Sequence, residues 1–168
     1  MTMQYDVKGS HLSGSGLMVS GRTRLKNLVY LGTGTAGGID MFDTTTAPVA
    51  ATYARSAYTV TVTSTAHGLV TGQYIGITFS AASNVSATTG NYIVTKLTND
   101  TFTITDLNTG TIAGGTVCVY STGKWMAGFN TSTAVQPFQV LFPGEGVLAQ
   151  NGVYAYVTNI SFQTIQYG

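Results

Sequence analysis

Apolar and polar residues alternate with period two along most of this chain, the pattern of strands with one buried and one solvated face. The clearest runs fall within residues 57–120: Tyr58-Thr-Val-Thr-Val-Thr63, Tyr74-Ile-Gly-Ile-Thr-Phe79, Gly90-Asn-Tyr-Ile-Val-Thr95, Thr101-Phe-Thr-Ile-Thr105 and Thr116-Val-Cys-Val-Tyr120. The alternation points Tyr58, Val60, Val62, Ile75, Ile77, Phe79, Phe102, Ile104, Val117 and Val119 inward. It leaves threonines and Cys118 on the solvated side. His67-Gly68, Thr89-Gly90-Asn91, Asn99-Asp100, Asn108-Thr-Gly110 and Gly114-Gly115 interrupt the runs with turn residues. No stretch carries helical periodicity.

The flanks read the same way. Leu25–Leu31 is a strand, Gly32–Gly38 a hairpin loop, and residues 44–56 a Thr- and Ala-rich connection through Pro48. After a short linker at 121–123, strands are expected at 124–129 and 134–142, with Pro137 marking an edge or bulge. Phe142-Pro-Gly-Glu-Gly146 reads as a turn. Asn151-Gly152, between 146–150 and Val153–Val157, reads as a hairpin with a type I′ turn. A bend at Thr158-Asn159 leads into a last strand at 160–167. Neither flank has enough strands to bury a core alone. Joined, 22–56 and 121–168 make a small discontinuous β-sandwich, into which 57–120 is inserted as a second small β-barrel or sandwich domain. The fold class is all-β.

Residues 1–21 are rich in Gly and Ser and lack sustained periodicity, so they read as an extended N-terminal arm. On this reading the arm orders only against a partner, with Tyr5, Leu12, Leu17 and Met18 as anchors and Arg22, Arg24 and Lys26 as a basic root. Its removal should then leave the melting temperature unchanged.

Composition narrows the function. Of 168 residues, 43% are hydrophobic, enough for a core, while only 8% are charged, against roughly a quarter in an average soluble protein. A polar surface built from Thr, Ser, Asn and Gln repels like copies weakly and suits a symmetric assembly. The net charge of +1 argues against broad binding of nucleic acid or membrane surfaces. One cysteine excludes an internal disulfide and a structural zinc site. No apolar run serves as a signal peptide or approaches the roughly 20 residues of a membrane-spanning helix.

Candidate chemistry is sparse. Gly32-Thr-Gly-Thr-Ala-Gly-Gly38 matches a dinucleotide fingerprint formally, but strand and turn residues follow where the pyrophosphate needs a helix N-terminus. His11 and His67 lack neighbouring ligands. Asp40/Asp43 and Asp100/Asp106 sit at turns, where Asp caps amides, and no Gly-x-Ser-x-Gly elbow exists. No catalytic residue, cofactor or metal is expected. Of the ten tyrosines, Tyr154 and Tyr156 alternate opposite Val153, Ala155 and Val157 and so face a contact surface. Trp125 reads as a core anchor.

Ala66-His-Gly-Leu69, Gly72-Gln73, Gly90-Asn-Tyr-Ile-Val-Thr95 and Asp100-Thr-Phe-Thr-Ile104 together resemble a small β-domain recurrent in virion proteins of tailed phages. The likeness of that domain to the catalytic-cysteine half-domain of ubiquitin-activating enzymes brings no activity here, since Cys118 lies mid-strand and no adenylate-binding domain accompanies it. In the flanks, Met41-Phe-Asp43, Pro143-Gly-Glu-Gly-Val147 and Asn151-Gly-Val-Tyr154 resemble a sandwich module of small phage virion proteins. The resemblance implies a non-enzymatic structural protein of the virion, made in the host cytoplasm. A capsid decoration or cement protein is the first expectation, bridging the major capsid protein and copies of itself, as in a trimer, with no nucleic acid or membrane partner. A tail- or collar-associated fibre or adhesin that binds a host glycan is the alternative.

Overall fold

The computed structural model describes residues 8–80, 86–131, 133 and 135–168. Among them the chain is all-β, with several antiparallel sheets, none closed, and no helix. It divides into two compact units, one formed by Met1–Ala47 with Met126–Gly168 and the other by Pro48–Trp125. The second unit is therefore wider than residues 57–120.

The first unit has two sheets. One has the order β1 (Lys8–Leu12), β14 (Ile160–Tyr167), β3 (Thr23–Gly32), β11 (Pro137–Leu141), with β12 (Val147–Ala149) also on β3. The other runs β10 (Lys124–Thr131), β4 (Gly37–Asp43), β13 (Gly152–Thr158), β2 (Gly16–Ser20). Leu25, Leu28, Tyr30 and Ile165 from the first pack with Met18, Ile39, Met41, Val153 and Ala155 from the second in one core.

The N-terminal segment is not a free arm from Lys8 onward. Lys8–Leu12 pairs residue for residue with Gln163–Tyr167, and Gly16–Ser20 pairs with β13. Each sheet would otherwise end on a long bare edge beside its core, and covering such edges is a general requirement of β-sandwiches. Gly- and Ser-rich sequence concealed these strands because edge strands are short and half solvated, so their alternation is weak. Tyr5 lies outside the described residues.

Two expected hairpins are crossings between sheets. β3 and β4 belong to different sheets, and so do β12 and β13. The second crossing is shaped by Asp43, a buried residue at the end of β4. Its carboxylate accepts the amides of Gln150 (3.0 Å to each oxygen), Asn151 (2.7 Å) and Gly152 (3.3 Å). Asn151 is absent from the residues with positive φ, which rules out the type I′ turn, whose two central residues both need it. The Phe142–Gly146 stretch is no reversal either. β11 and β12 lie end to end along β3, at Asn27–Leu31 and Thr23–Leu25, and the Pro-Gly-Glu-Gly segment bulges out between them. Gly146 is required there: its φ is 79°, and a Cβ would overlap the Leu25 carbonyl. A bend does occur at Asn159 (φ 53°), where the chain passes from β13 to β14.

The second unit is one sheet of order β5 (Val49–Thr63), β9 (Thr101–Ser121), β6 (Tyr74–Phe79), β7 (Gly90–Ile93), with β8 (Thr95–Lys96) also on β9. The sheet wraps a core of Tyr53, Val60, Val62, Ile75, Ile77, Phe102, Cys118 and Tyr120, among others. Strand β5 runs through the expected connection at 49–56. Strand β9 runs unbroken through both sets of expected turn residues. Opposite Ala57 to Thr59, β9 spans Gly110 to Thr105, and opposite Tyr53 to Arg55 it spans Thr116 to Ile112. The glycines and asparagines therefore mark bulges, where extra residues are accommodated without reversing the chain. Each bulge shifts which face a side chain takes. Tyr58 is consequently 53% exposed and Val117 48% exposed, while Cys118 is fully buried, the reverse of the period-two expectation. Val119, Phe102, Ile104, Val60 and Val62 are buried.

Candidate functional site

The residues predicted to bind a partner separate into several groups. Met18 is in the first unit's core, and Leu12 packs against that core. Both are occupied by the fold of their own chain. Leu17 stays 40% exposed on β2 and is in direct register with Tyr154 of β13, which in turn faces Phe42 of β4. Tyr156 lies opposite Asp40. Tyr154 and Tyr156 are half-buried between the fully buried Val153 and Ala155, so Leu17 and the two tyrosines share the outer side of their sheet.

The basic root is divided as well. Glu145, on the bulge between β11 and β12, takes Arg24 (3.3 Å) through its carboxylate and the Lys26 ammonium (2.9 Å) through its backbone carbonyl. Both cations thus hold a segment of their own chain. Arg22 is exposed and lines, with Lys8, Met18, Ser20 and Tyr167, an open groove of about 430 Å³.

A feature hidden in the sequence is a buried ion pair in the second unit. Arg55 and Asp106 approach to 3.2 Å with both side chains 1% exposed. Arg55 also donates to the carbonyls of Ala57, Ser86 and Asn108. Asp106 accepts the amides of Thr88 (2.8 Å) and Asn108 (3.2 Å). Burial alone raises the Asp106 carboxyl. The Thr88 and Asn108 amides, with Arg55 beside them, outweigh that and hold its pKa below the ordinary value. Tyr92 closes the group by donating to the Thr88 carbonyl (2.6 Å), and burial together with Asp106 pushes its pKa to about 12. The pair sits at the wide bulge of β9 and pins the backbone on both sides of Leu107, which is 92% exposed. Two charged residues 51 positions apart in sequence gave no local signal of their pairing.

The histidine motif is a clamp between loops. His67 Nδ1 accepts the Leu69 amide (3.0 Å), so Nε2 is left to donate to the Thr98 carbonyl (3.1 Å), and its ring meets the edge of Phe102. Asp100 accepts the Ala66 amide at 2.7 Å. His11 bonds Thr164 (2.9 Å) and lies against Phe162. The glycine-rich segment at 32–38 is explained by packing: a Cβ at Gly37 would overlap the Thr158 carbonyl, and one at Gly38 would meet the Phe129 carbonyl at 2.9 Å. Trp125 is half-buried, its backbone bridged by the Asn91 amide (2.7 and 2.9 Å).

No family model and no curated protein matches the chain. The site must therefore be read from its chemistry alone. Among the described residues no three His, Cys, Asp or Glu side chains group as metal ligands. Asp43 and Asp100 cap amides, Asp106 and Glu145 pair with arginines, and Asp40 is also engaged. Burial pushes the Cys118 thiol up to about 12, far from a reactive thiolate. What the surface offers is large apolar side chains among neutral polar ones, the composition of a contact surface.

Proposed function

We propose that this chain is a non-enzymatic structural protein of a tailed-phage particle, acting as a decoration or cement protein on the head. The observation that carries the reading is the division of labour among side chains. The described acids are tied into the chain's own framework, whereas Leu107, Leu141, Val135, Tyr74 and Val70 stand 60% exposed or more. A hydrolytic or transfer site needs positioned groups free to exchange protons. A particle protein needs rigid, weakly charged surface that meets other subunits without repulsion.

Both units supply that surface. Leu17, Tyr154 and Tyr156 offer an outer sheet face in the first, and the bulge at Leu107 projects from the second. The shell protein and further copies of this chain are the partners in this reading. The N-terminal strands fill their own sandwich, so docking falls to the sheet faces.

Quantitative mass spectrometry of purified virions carrying this gene tests the proposal. A copy number on the scale of the shell subunits supports it. A few copies, in multiples of the tail symmetry, would replace it with the tail or collar adhesin reading. Absence from particles, or turnover by the purified chain that a single substitution abolishes, would overturn both.

A further inference from the structure

The strand pair β1 and β2 is held to its unit by the far end of the chain. β1 pairs with β14, from Lys8 opposite Tyr167 to Leu12 opposite Gln163, and β2 pairs with β13, from Gly16 opposite Ala155 to Ser20 opposite Gly152. The bend between them is bonded to the same two strands. The Gly14 carbonyl accepts the Gln163 side chain (2.9 Å), and Ser15 Oγ accepts the Val157 amide (2.9 Å). Met18 is buried in the core and Leu12 packs against it. The surface that receives residues 8–20 is therefore one strand edge in each sheet, with the core between them.

The covalent tie is slight by comparison. Only Gly21 and Arg22 join β2, in one sheet, to β3, in the other. Gly21 turns this corner at a φ of 85°, and a Cβ placed on it would meet no atom within 4 Å. The corner thus has open space in which to straighten, giving up the bond from the Gly21 amide to the Asn151 carbonyl (2.8 Å). Short connections of this kind favour exchange of an element between copies, because a straightened connection carries the element to a neighbour. Charge does not confine the pair to its own chain either. From Gly9 to Gly21 and from Gly152 to Tyr167 there is no Lys, Arg, Asp or Glu, so an identical chain meets no like-charge repulsion there.

We propose that residues 8–20 exchange between two copies of this chain, the β1 and β2 of each completing the sandwich of the other. Every pairing named above is then made across chains in the same register, and only the corner at Gly21 changes. The partner is a second copy because the receiving edges already match this strand pair residue for residue. Reciprocal exchange relates the copies by a two-fold axis. Return to monomer requires β1 and β2 to leave the core, so the exchanged dimer is slow to separate once formed. The inference does not depend on the virion reading and is tested on the isolated full chain.

Sedimentation velocity of the full chain refolded from urea at about 1 µM should show monomer, and at about 200 µM a dimer that persists on dilution. Crossing of the strands is read by refolding His11→Cys chains together with Thr164→Cys chains at the higher concentration and oxidising afterwards. Residues 11 and 164 are register partners, so the two introduced thiols meet only in an exchanged pair, while Cys118 stays buried. A linked heterodimer is expected, and none when the two variants are refolded apart at the lower concentration and then mixed. Gly21→Val, which strains the corner through its backbone alone, should raise the dimer association constant about tenfold. A Gly-Ser-Gly-Ser insertion after Gly21 relaxes the corner and should lower the constant by about as much. A wild type that refolds wholly to monomer at the higher concentration overturns the inference. So does a dimer that leaves the introduced thiols unlinked in variants that melt like the wild type, or one whose yield the insertion leaves unchanged. Should either cysteine variant melt early, the insertion decides alone.

Discussion

Asp106→Asn removes one charge from the second unit while leaving nearly every atom in place. Arg55, 1% exposed, would then be buried without its counter-ion. Breaking one side of a buried pair costs about 3–5 kcal/mol, because the remaining charge stays desolvated. The carboxylate also accepts two amides through different oxygens, Thr88 on Oδ2 and Asn108 on Oδ1. An asparagine accepts through one oxygen only, so one amide loses its partner, which costs about 1–3 kcal/mol more. The carbonyls around Arg55 offset part of this by continuing to bind the guanidinium. A net loss near 4 kcal/mol in a unit of this size corresponds to roughly 20 °C in melting temperature. Differential scanning calorimetry of the full chain at neutral pH measures it. The double variant Arg55→Met, Asp106→Leu should melt higher than Asp106→Asn, because no charge is left buried. A shift under about 5 °C for Asp106→Asn would mean that the pair is solvated in solution and that the bulge is held by its backbone contacts alone. The same carboxylate sets an acid limit. Its native pKa lies below the ordinary 3.8, so its contribution is whole above that pH and is lost as pH falls through the depressed value. The acid-induced fall in melting temperature should therefore be shallower in Asp106→Asn than in the wild type.

Three other outcomes are expected. Deleting residues 1–21 should lower the melting temperature of the first unit by about 10 °C, since the burial of Met18 alone is worth about 2 kcal/mol; an unchanged melting curve would mean β1 and β2 are dispensable covers. Asp43→Ala leaves the amides of Gln150, Asn151 and Gly152 without their common acceptor and should cost the first unit about 3 kcal/mol in urea unfolding; recovery of stability in Asp43→Asn to within about 0.5 kcal/mol of wild type would show that a neutral oxygen suffices. Cys118, fully buried and with its thiol pKa near 12, should resist alkylation at about pH 8 until the second unit unfolds; rapid labelling of the native chain would contradict its place in the core.

The alternation in the sequence located most strands because burial on one face imposes it. Val60, Val62, Ile75, Ile77, Phe102 and Ile104 all point inward as read. It failed where the count was broken. The bulges of β9 insert residues that period-two reading cannot detect, so Tyr58 and Cys118 exchanged faces. It also failed at connections. Asn151-Gly152 carries the residues of a tight hairpin, but the carboxylate of Asp43, over 100 positions earlier, gathers the amides there and sends the chain to the other sheet. Asp106 read as a residue that caps amides, which it does, but nothing in the sequence pointed to Arg55 as its partner, because their burial depends on a pairing that only the folded sheet creates.

The pairing of β1 with β14 joins the two ends of the chain, His11 to Thr164 across 153 positions. This fixes an order of events during synthesis. Pro48–Trp125 is contiguous, so it can close its core once it has left the ribosome, before β13 and β14 have emerged. Until then β1 to β4 wait with their edges bare, because their partner strands β13 and β14 follow the second unit in the chain. The first unit is thus the stage at which nascent chains are open to mispairing with one another, and a destabilised second unit would lengthen that exposure by leaving the ends of its partner unjoined.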